Sequence, residues 1–545
     1  MAIPQRSNNL LFSPSIFSRL QTLISDVQRS KHTFAGEEGE ISHIRKDAAL
    51  DSVTTKNVDR LDTSTWKVVD ARRVGISWSK ISPSTLMVLK ILHRKGFDAY
   101  LVGGCVRDLL LKKTPKDFDV VTTAGLKQVK KQFHRSQIVG QRFPICRVKI
   151  YDNTIEVSSF DTIAKHSKEK ETVDFSQMPT GCDKKDFVRW KNCMERDFTI
   201  NGLLYDPFVN RIYDYTGGIM DLKLCKVRTV IPAYVSFKED CARILRALRI
   251  AARLGLHFSR DTAAAMRDLS SSIVTLAKSR LMMEMNFMLA YGAAESSLCL
   301  LHRFRLLNIM LPVHGAYLAE QAEKKIAESS TMFMKLFSSV DKLLAPDRPS
   351  DCSLWVGLLA FHLALINHPQ DPLVVWTFAS NLYYGNWCKA VEFARENAKM
   401  GVQFSPEILE MSATKSDESL LEEVSHLASL VISSIDALTN TDALLKTMGR
   451  YPQFPHLGLV FISKKTATVV SEHFSVIEAD VKHQVMEREN FDVDYKLLEM
   501  GEPKETRFVL GKVIMDTMNN GVLQDQNVEV FKVVKHRPSL SKLFT

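Results

Sequence analysis

Leu101-Val-Gly-Gly-Cys-Val-Arg-Asp-Leu-Leu-Leu-Lys-Lys-Thr-Pro-Lys-Asp-Phe-Asp119 is the stretch that decides how this chain is read. A short apolar run, Ala99–Val102, ends in two glycines and passes into a helix-like segment with Arg107 and Asp108 in its first turn. Gly103 and Gly104 let backbone N–H groups come close to a phosphate, and the helix start turns its positive end toward it. A second apolar segment then carries Asp117 and Asp119. On a strand the side chains alternate, so both carboxylates are expected on one face, with Phe118 and Val120 on the other. Paired carboxylates repel unless a hard cation lies between them, which is how a Mg²⁺ site is built. Either element alone is commonplace. Joined at this spacing they predict a phosphate cradle beside a metal site, the equipment of nucleotidyl transfer.

The same stretch resembles the signature of the class II nucleotidyltransferases, the family of bacterial-type poly(A) polymerases and CCA-adding tRNA nucleotidyltransferases. Three further stretches continue the resemblance in family order. Glu195-Arg-Asp-Phe-Thr-Ile-Asn-Gly-Leu203 is similar to the second motif, which grips the ribose. Asp214-Tyr-Thr-Gly-Gly-Ile-Met-Asp-Leu222 is similar to the hinge-like third, and Glu239-Asp-Cys-Ala-Arg-Ile-Leu-Arg-Ala-Leu-Arg249 to the fourth, which reads the incoming base. Together they cover about Trp66–Ala265.

The resemblance implies an α+β protein: an N-terminal nucleotidyltransferase head with a small mixed sheet and helices, then an all-α neck and body. The expected divisions are residues 1–65 as transit peptide and linker, 66–230 as head, 231–300 as neck, and 301–545 as body and tail, a candidate RNA-binding region. Asp117 and Asp119 are expected to hold two Mg²⁺ ions. In the family a third acidic group from a neighbouring strand commonly completes the site, which singles out Glu156 between Ile155 and Val157. Gly103, Gly104 and Arg107 are expected to hold the triphosphate of ATP. By the resemblance Asp197 and Asn201 contact the ribose, with Arg196 ordering their segment, and an internal salt bridge is the structural alternative for Asp197. Asp240 and Arg243 act as a protein template for the base, supported by Glu239. A helical wheel places Glu239, Arg243, Arg246, Arg249 and Arg253 in one sector, with Ile244, Leu245, Leu248 and Ala252 opposite. Such an arginine face calls for anions, and Arg246 is counted among the nucleotide-binding residues.

Elsewhere the chain predicts a helix over Ser84–Lys95, a basic helix around Leu126–Phe133, and a hairpin joining Cys146–Ile150 to Thr154–Val157. Ala164–Lys191 is charge-rich without periodicity and reads as a loop over the site. Beyond Ile231 the pattern is helical. The 72 Lys and Arg against 62 Asp and Glu give a formal charge of +10, which suits a polyanionic partner. Nine cysteines without a C-x-x-C pair disfavour a zinc module or a disulfide framework. No apolar run reaches the roughly 18 residues of a membrane span. There is no Walker-type phosphate loop, and nothing in the sequence sets an oligomeric state.

Within the resemblance, Ile138-Val-Gly-Gln-Arg-Phe-Pro-Ile-Cys-Arg147 and Trp66–Leu110 are closer to the poly(A) type. The expected reaction is therefore AMP transfer from ATP to an RNA 3′ end, mRNA-like or tRNA. CCA addition remains an alternative, as does an inactive RNA-binding relative, because Glu195 stands where the second motif usually has arginine. A purely structural helical scaffold leaves the head motifs without a purpose.

The first 25 residues contain no Asp or Glu but several serines, Arg6 and Arg19, and Ile16, Phe17, Leu20, Leu23 and Ile24 fall on one helical face. This composition reads as a mitochondrial or chloroplast address, with nucleus or cytoplasm as the alternative. A reporter fused to residues Met1–Arg45 should enter an organelle. Retention in the cytosol refutes the address.

Overall fold

In a computed structural model, residues 63–520 are described, apart from 141–143, 162–177, 179–181, 400, 401, 403, 411–414, 483–487 and 489. The proposed address, residues 164–177 of the expected loop and the centre of the 138–147 stretch lie outside the described residues. The head is built on an eight-stranded sheet in the order β1-β8-β7-β2-β3-β6-β5-β4. Its strands are β1 Lys67–Asp70, β2 Ala99–Val102, β3 Asp119–Thr122, β4 Ser136–Val139, β5 Ile145–Ile150, β6 Asn153–Ser159, β7 Leu203–Asp206 and β8 Arg211–Asp214. Only β3 and β6 run parallel; every other neighbouring pair is antiparallel. The expected hairpin is β5–β6.

Alternation sorts the strand residues onto two covered faces. Ala99, Leu101, Val120, Leu203 and Ile212 join the main core, covered in part by α1 (Pro83–Arg94), α2 (Gly104–Leu110) and α3 (Leu126–Gln132). Tyr100, Val102, Val121, Leu204 and Tyr213 form a second, smaller core with Cys193 and Trp190 of α4 (Lys184–Met194). That helix corrects the expectation of a loop through Lys191: Phe187, Arg189 and Cys193 are buried on one side of it, a stripe that the surrounding charges hide in the sequence.

The third motif is a brace. The carboxylate of Asp214 accepts hydrogen bonds from the N–H groups of Thr216, Gly218 and Ile219 and so caps α5 (Gly218–Lys223). A Cβ on Gly218 would sit 2.3 Å from the Thr199 carbonyl oxygen, so only glycine allows this approach. Asp221 of α5 then accepts from Thr199 Oγ1 at 2.6 Å, fixing the turn that precedes Asn201.

Beyond the head, the chain is helical from α6 (Ala233–Glu239), α7 (Ala242–Leu254), α8 (Arg260–Asp268) and α9 (Lys278–Leu289) onward. A two-residue parallel pair, Lys226–Val227 with His257–Phe258, departs from the all-helical expectation. In the body, Cys352–Asn367 and Pro372–Tyr384 are buried along most of their length, as the apolar run Leu354–Ile366 predicts. Among the described residues no helix is long and apolar enough to cross a membrane. All nine cysteines are free.

Candidate active site

The β2–α2 turn sets the site. Gly103 has φ 79°, ψ −135°, and a Cβ there would lie 3.2 Å from Arg196 Nη1 and 3.9 Å from Asp119 Oδ2. Glycine at this position therefore lets an arginine and a carboxylate from two other elements close on one turn. Behind it, Arg107 and Asp108 are both buried and meet at 2.8 Å. Arg107 Nη1 also donates to Asn201 Oδ1 at 2.7 Å.

From Asn201 the polar chain continues. Asn201 Nδ2 and the Phe198 N–H both donate to Asp197 Oδ1, at 2.9 and 2.7 Å, while Arg246 Nη1 lies 3.0 Å from Oδ2. Burial alone would push the Asp197 carboxyl up, but the Arg246 charge and these hydrogen bonds outweigh it and hold it below the usual carboxylate range. Asp197 thus makes with Arg246 the internal salt bridge given as its structural alternative, and it also lines the cleft described below.

The acid pair differs from the sequence reading. The strand begins at Asp119, and Asp117 lies in the preceding bend, so strand alternation does not place it. Asp119 stands beside Glu156 in the parallel β3–β6 register. Glu156 accepts from Arg147 Nε at 3.1 Å, and among the described residues no three acidic, His or Cys side chains are gathered tightly enough to hold an ion. The Asp119 carboxyl is pushed up to about 6, chiefly by burial, with Glu156 and Asp117 adding to it and Arg196 opposing it. A cation between Asp119 and Asp117 would relieve that strain, and hard oxygen donors suit Mg²⁺.

The opposite wall comes from the neck. Glu239 to Arg253 is not one helix: α6 ends at Glu239, Asp240 is extended (φ −149°, ψ 96°), and α7 starts at Ala242. Asp240 Oδ1 accepts from the Ala242 N–H at 3.1 Å, a local bond that competes with helix continuation. Arg243 reaches back across the break, its Nη1 donating to Ser236 Oγ at 2.8 Å and to Glu239 Oε2 at 3.2 Å. Ile244, Leu245 and Leu248 are buried as the wheel predicts, and Ala252 is only half-buried.

Sequence reasoning missed Glu284 and Arg280 of α9. Glu284 is 1% exposed, with Arg249 Nε at 3.0 Å and Arg280 Nη2 at 3.1 Å from its two oxygens. One acid inside Leu281-Met-Met-Glu-Met, four residues after an arginine, was the available signal.

These walls enclose an open cleft of about 840 Å³, lined by eight Arg and Lys against six Asp and Glu. The excess of positive charge favours a polyanion. Gly103, Gly104, Arg107, Asp117, Asp119, Arg196, Asp197, Asn201, Asp240, Arg243 and Arg246 all line it. Glu156 and Glu239 do not. Glu195 lines it at the end of α4, its carboxyl pushed up by burial against the pull of Lys191 and Arg196.

Residues 99–228 match the Poly A polymerase head domain, and residues 255–318 match the probable RNA and SrmB-binding site of polymerase A. Poly(A) polymerase I of Haemophilus influenzae is 34% identical over 282 residues, 51% of this chain and 61% of that protein. A CCA-adding enzyme of Leuconostoc mesenteroides is 33% identical over 231 residues, 42% of this chain and 54% of that one. The chain thus spans about three fifths of the length of the poly(A) polymerases it matches. Among solved structures, the Bacillus stearothermophilus CCA-adding enzyme in complex with CTP aligns over 73% of this chain and 94% of its own, at 21% identity and a TM-score of 0.39.

Two stability measurements probe the site without turnover. A carboxyl raised from 3.8 to about 6 costs stability above pH 6 and nothing below pH 3.8, where it is protonated in both the folded and unfolded states. In chelator, Asp119→Asn should therefore stabilise the protein at pH 8 by on the order of 1–2 kcal/mol, allowing for solvent screening, and the gain should vanish near pH 4. A gain independent of pH would contradict the burial argument. Glu284→Ala should cost about 3–5 kcal/mol, because it strands two arginines. Thermal unfolding with a loss under about 1 kcal/mol would show that the pair is solvated.

Proposed function

We propose that the protein is a template-independent RNA 3′-end nucleotidyltransferase that transfers AMP from ATP to an RNA 3′-hydroxyl. The observation that carries this reading is one cleft lined together by Asp117 and Asp119 of the head, by Asp240 and Arg243 of the neck, and by Gly103 and Arg196. The head-domain match over residues 99–228 supports the reaction class. The poly(A) polymerase relatives favour AMP as the group transferred.

In this reading Asp117 and Asp119 hold the metal. Bound Mg²⁺ would acidify the attacking hydroxyl and neutralise charge on the α-phosphate and departing pyrophosphate. The protein's own work is positioning and electrostatics. The Gly103–Gly104 backbone and Arg196 face the triphosphate. Arg107 fixes Asn201, which presents the ribose-binding segment, and Asp197 fixes Arg246 beside it. Asp240 and Arg243 face the base edge; all three hydrogen bonds of Arg243 run through Nη1, which fixes the orientation of the planar fork. Glu239 supports Arg243 from outside the cleft. Glu156 is paired with Arg147, and its charge adds to the cost of the Asp119 carboxylate.

CCA addition is the second reading, favoured by the CCA-adding relative at 33% identity. Incubating the full chain and Mg²⁺ with an oligo(A) primer and with a tRNA lacking its end, each with ATP, CTP or both, separates the readings. Long ATP-only tails on oligo(A) are expected. Addition confined to the tRNA and needing CTP would establish the second reading, and no incorporation would leave an RNA-binding relative.

The base-reading role has its own test. Arg243→Ala should lower ATP selectivity over CTP, GTP and UTP by about one to two orders of magnitude, as loss of a charged hydrogen bond of roughly 1.5–3 kcal/mol predicts. Equal slowing with all four nucleotides would reduce Arg243 to an electrostatic role.

A further inference from the structure

Behind the sheet, on the face away from α2, one buried guanidinium joins three elements that each run into the cleft. Arg189 of α4 is 10% exposed at its side chain. Its Nε and Nη2 donate to the Tyr100 hydroxyl at 3.3 and 3.1 Å, and its Nη1 donates to Asp186 Oδ1 at 2.7 Å and to the Tyr215 hydroxyl at 3.4 Å. The Tyr215 hydroxyl donates to the same Asp186 oxygen at 2.5 Å. The guanidinium also lies over two rings, 4.3 Å from the centroid of Tyr213 and 5.2 Å from that of Tyr100.

Each partner leads to the site. Tyr100 is on β2, three residues before Gly103. Tyr213 and Tyr215 flank Asp214, the brace that holds Thr199 and the Asn201 turn through α5. Arg189 precedes Arg196 by seven residues on the helix that delivers it. A packing role alone would be met by an apolar side chain at less desolvation cost. A planar fork held by three oxygens and two ring faces fixes direction as well as distance.

We propose that Arg189 is a positioning residue for nucleotidyl transfer: from behind the sheet it sets the phosphate turn, the third-motif brace and the Arg196 segment against one another. The proposal rests on the transfer reading above. It predicts that loss of the fork loosens the triphosphate subsite while leaving the RNA-facing surfaces alone.

The test uses the full chain with Arg189→Met, Arg189→Lys and Tyr100→Phe, measuring melting temperature, the Kd of a fluorescent ATP analogue, and KM for ATP and for oligo(A). Arg189→Met should raise the analogue Kd and the ATP KM about tenfold, the size of effect a small misplacement produces, and leave the oligo(A) KM within about twofold. Arg189→Lys keeps the charge but not the fork, so it should recover melting temperature more than ATP binding. Tyr100→Phe keeps the ring and removes two hydrogen bonds, and should show a smaller shift of the same kind; it and the Lys variant decide the matter where the Met variant does not fold. Leu359→Ala, in the body core, provides a variant of lowered stability with unchanged ATP binding. Variants of Arg189 that melt lower yet bind the analogue like wild type would overturn the proposal. An intact chain that transfers no nucleotide, but whose analogue binding still responds to Arg189, would instead overturn the transfer reading alone.

Discussion

The pairing of Asp197 with Arg246 joins the two halves of the cleft, and the geometry of both halves depends on it. Asp197 belongs to the head, just before the turn that carries Asn201, and Arg246 belongs to the neck helix whose start presents Asp240 and Arg243. A buried carboxylate with one cation and two N–H donors is a fully satisfied group, so its position is fixed within narrow limits. Losing either member would leave a buried charge without its partner. That asymmetry keeps the Asn201 turn and the start of α7 in register.

The same logic recurs in the neck. Glu284 engages Arg249 and Arg280 before any nucleotide arrives, and Glu239 engages Arg243. Arg243, Arg246 and Arg249, which would repel along one helix face, thereby each meet a carboxylate. Arg196 stands differently. Its hydrogen bond is to Asn192, and its charge acts on Asp119. On the neck side of the cleft Arg243, Arg246 and Arg249 are paired with carboxylates, and on the head side the Arg196 charge lies beside the Gly103 turn.

Much of this was legible in the residues. Gly103 and Gly104, Asp119 on its strand, and Asn201 and Arg243 in the cleft follow from motif spacing and from what small or charged residues can do at a turn. The amphipathic pattern of α7 likewise identified its buried side. The errors came from short-range bonds that override periodicity. Asp240 satisfies the Ala242 N–H itself and breaks a helix that the wheel continues. The bend at Asp117 starts the strand two residues late. The buried stripe of α4 was masked by five charged residues in Lys184–Met194, and the Glu284–Arg249 pair was missed because its two members lie on different helices. Tertiary pairing of that kind has no signature in one segment.

The parallel pairing of β3 with β6 carries a kinetic consequence. A parallel neighbour cannot be reached by a tight turn, so the chain makes an excursion through α3, β4 and β5 before Glu156 arrives beside Asp119. The other links across the cleft are equally distant in sequence: 94 residues separate Arg107 from Asn201, and 49 separate Asp197 from Arg246. Loop-closure entropy opposes every one of these contacts before any of them stabilises the chain. The body has distant links of its own: Pro372–Tyr384 and Met332–Leu343 both pack against Pro503–Asn520. The cleft therefore exists only once segments far apart in the chain have been brought together, and no local stretch of the head can form it alone.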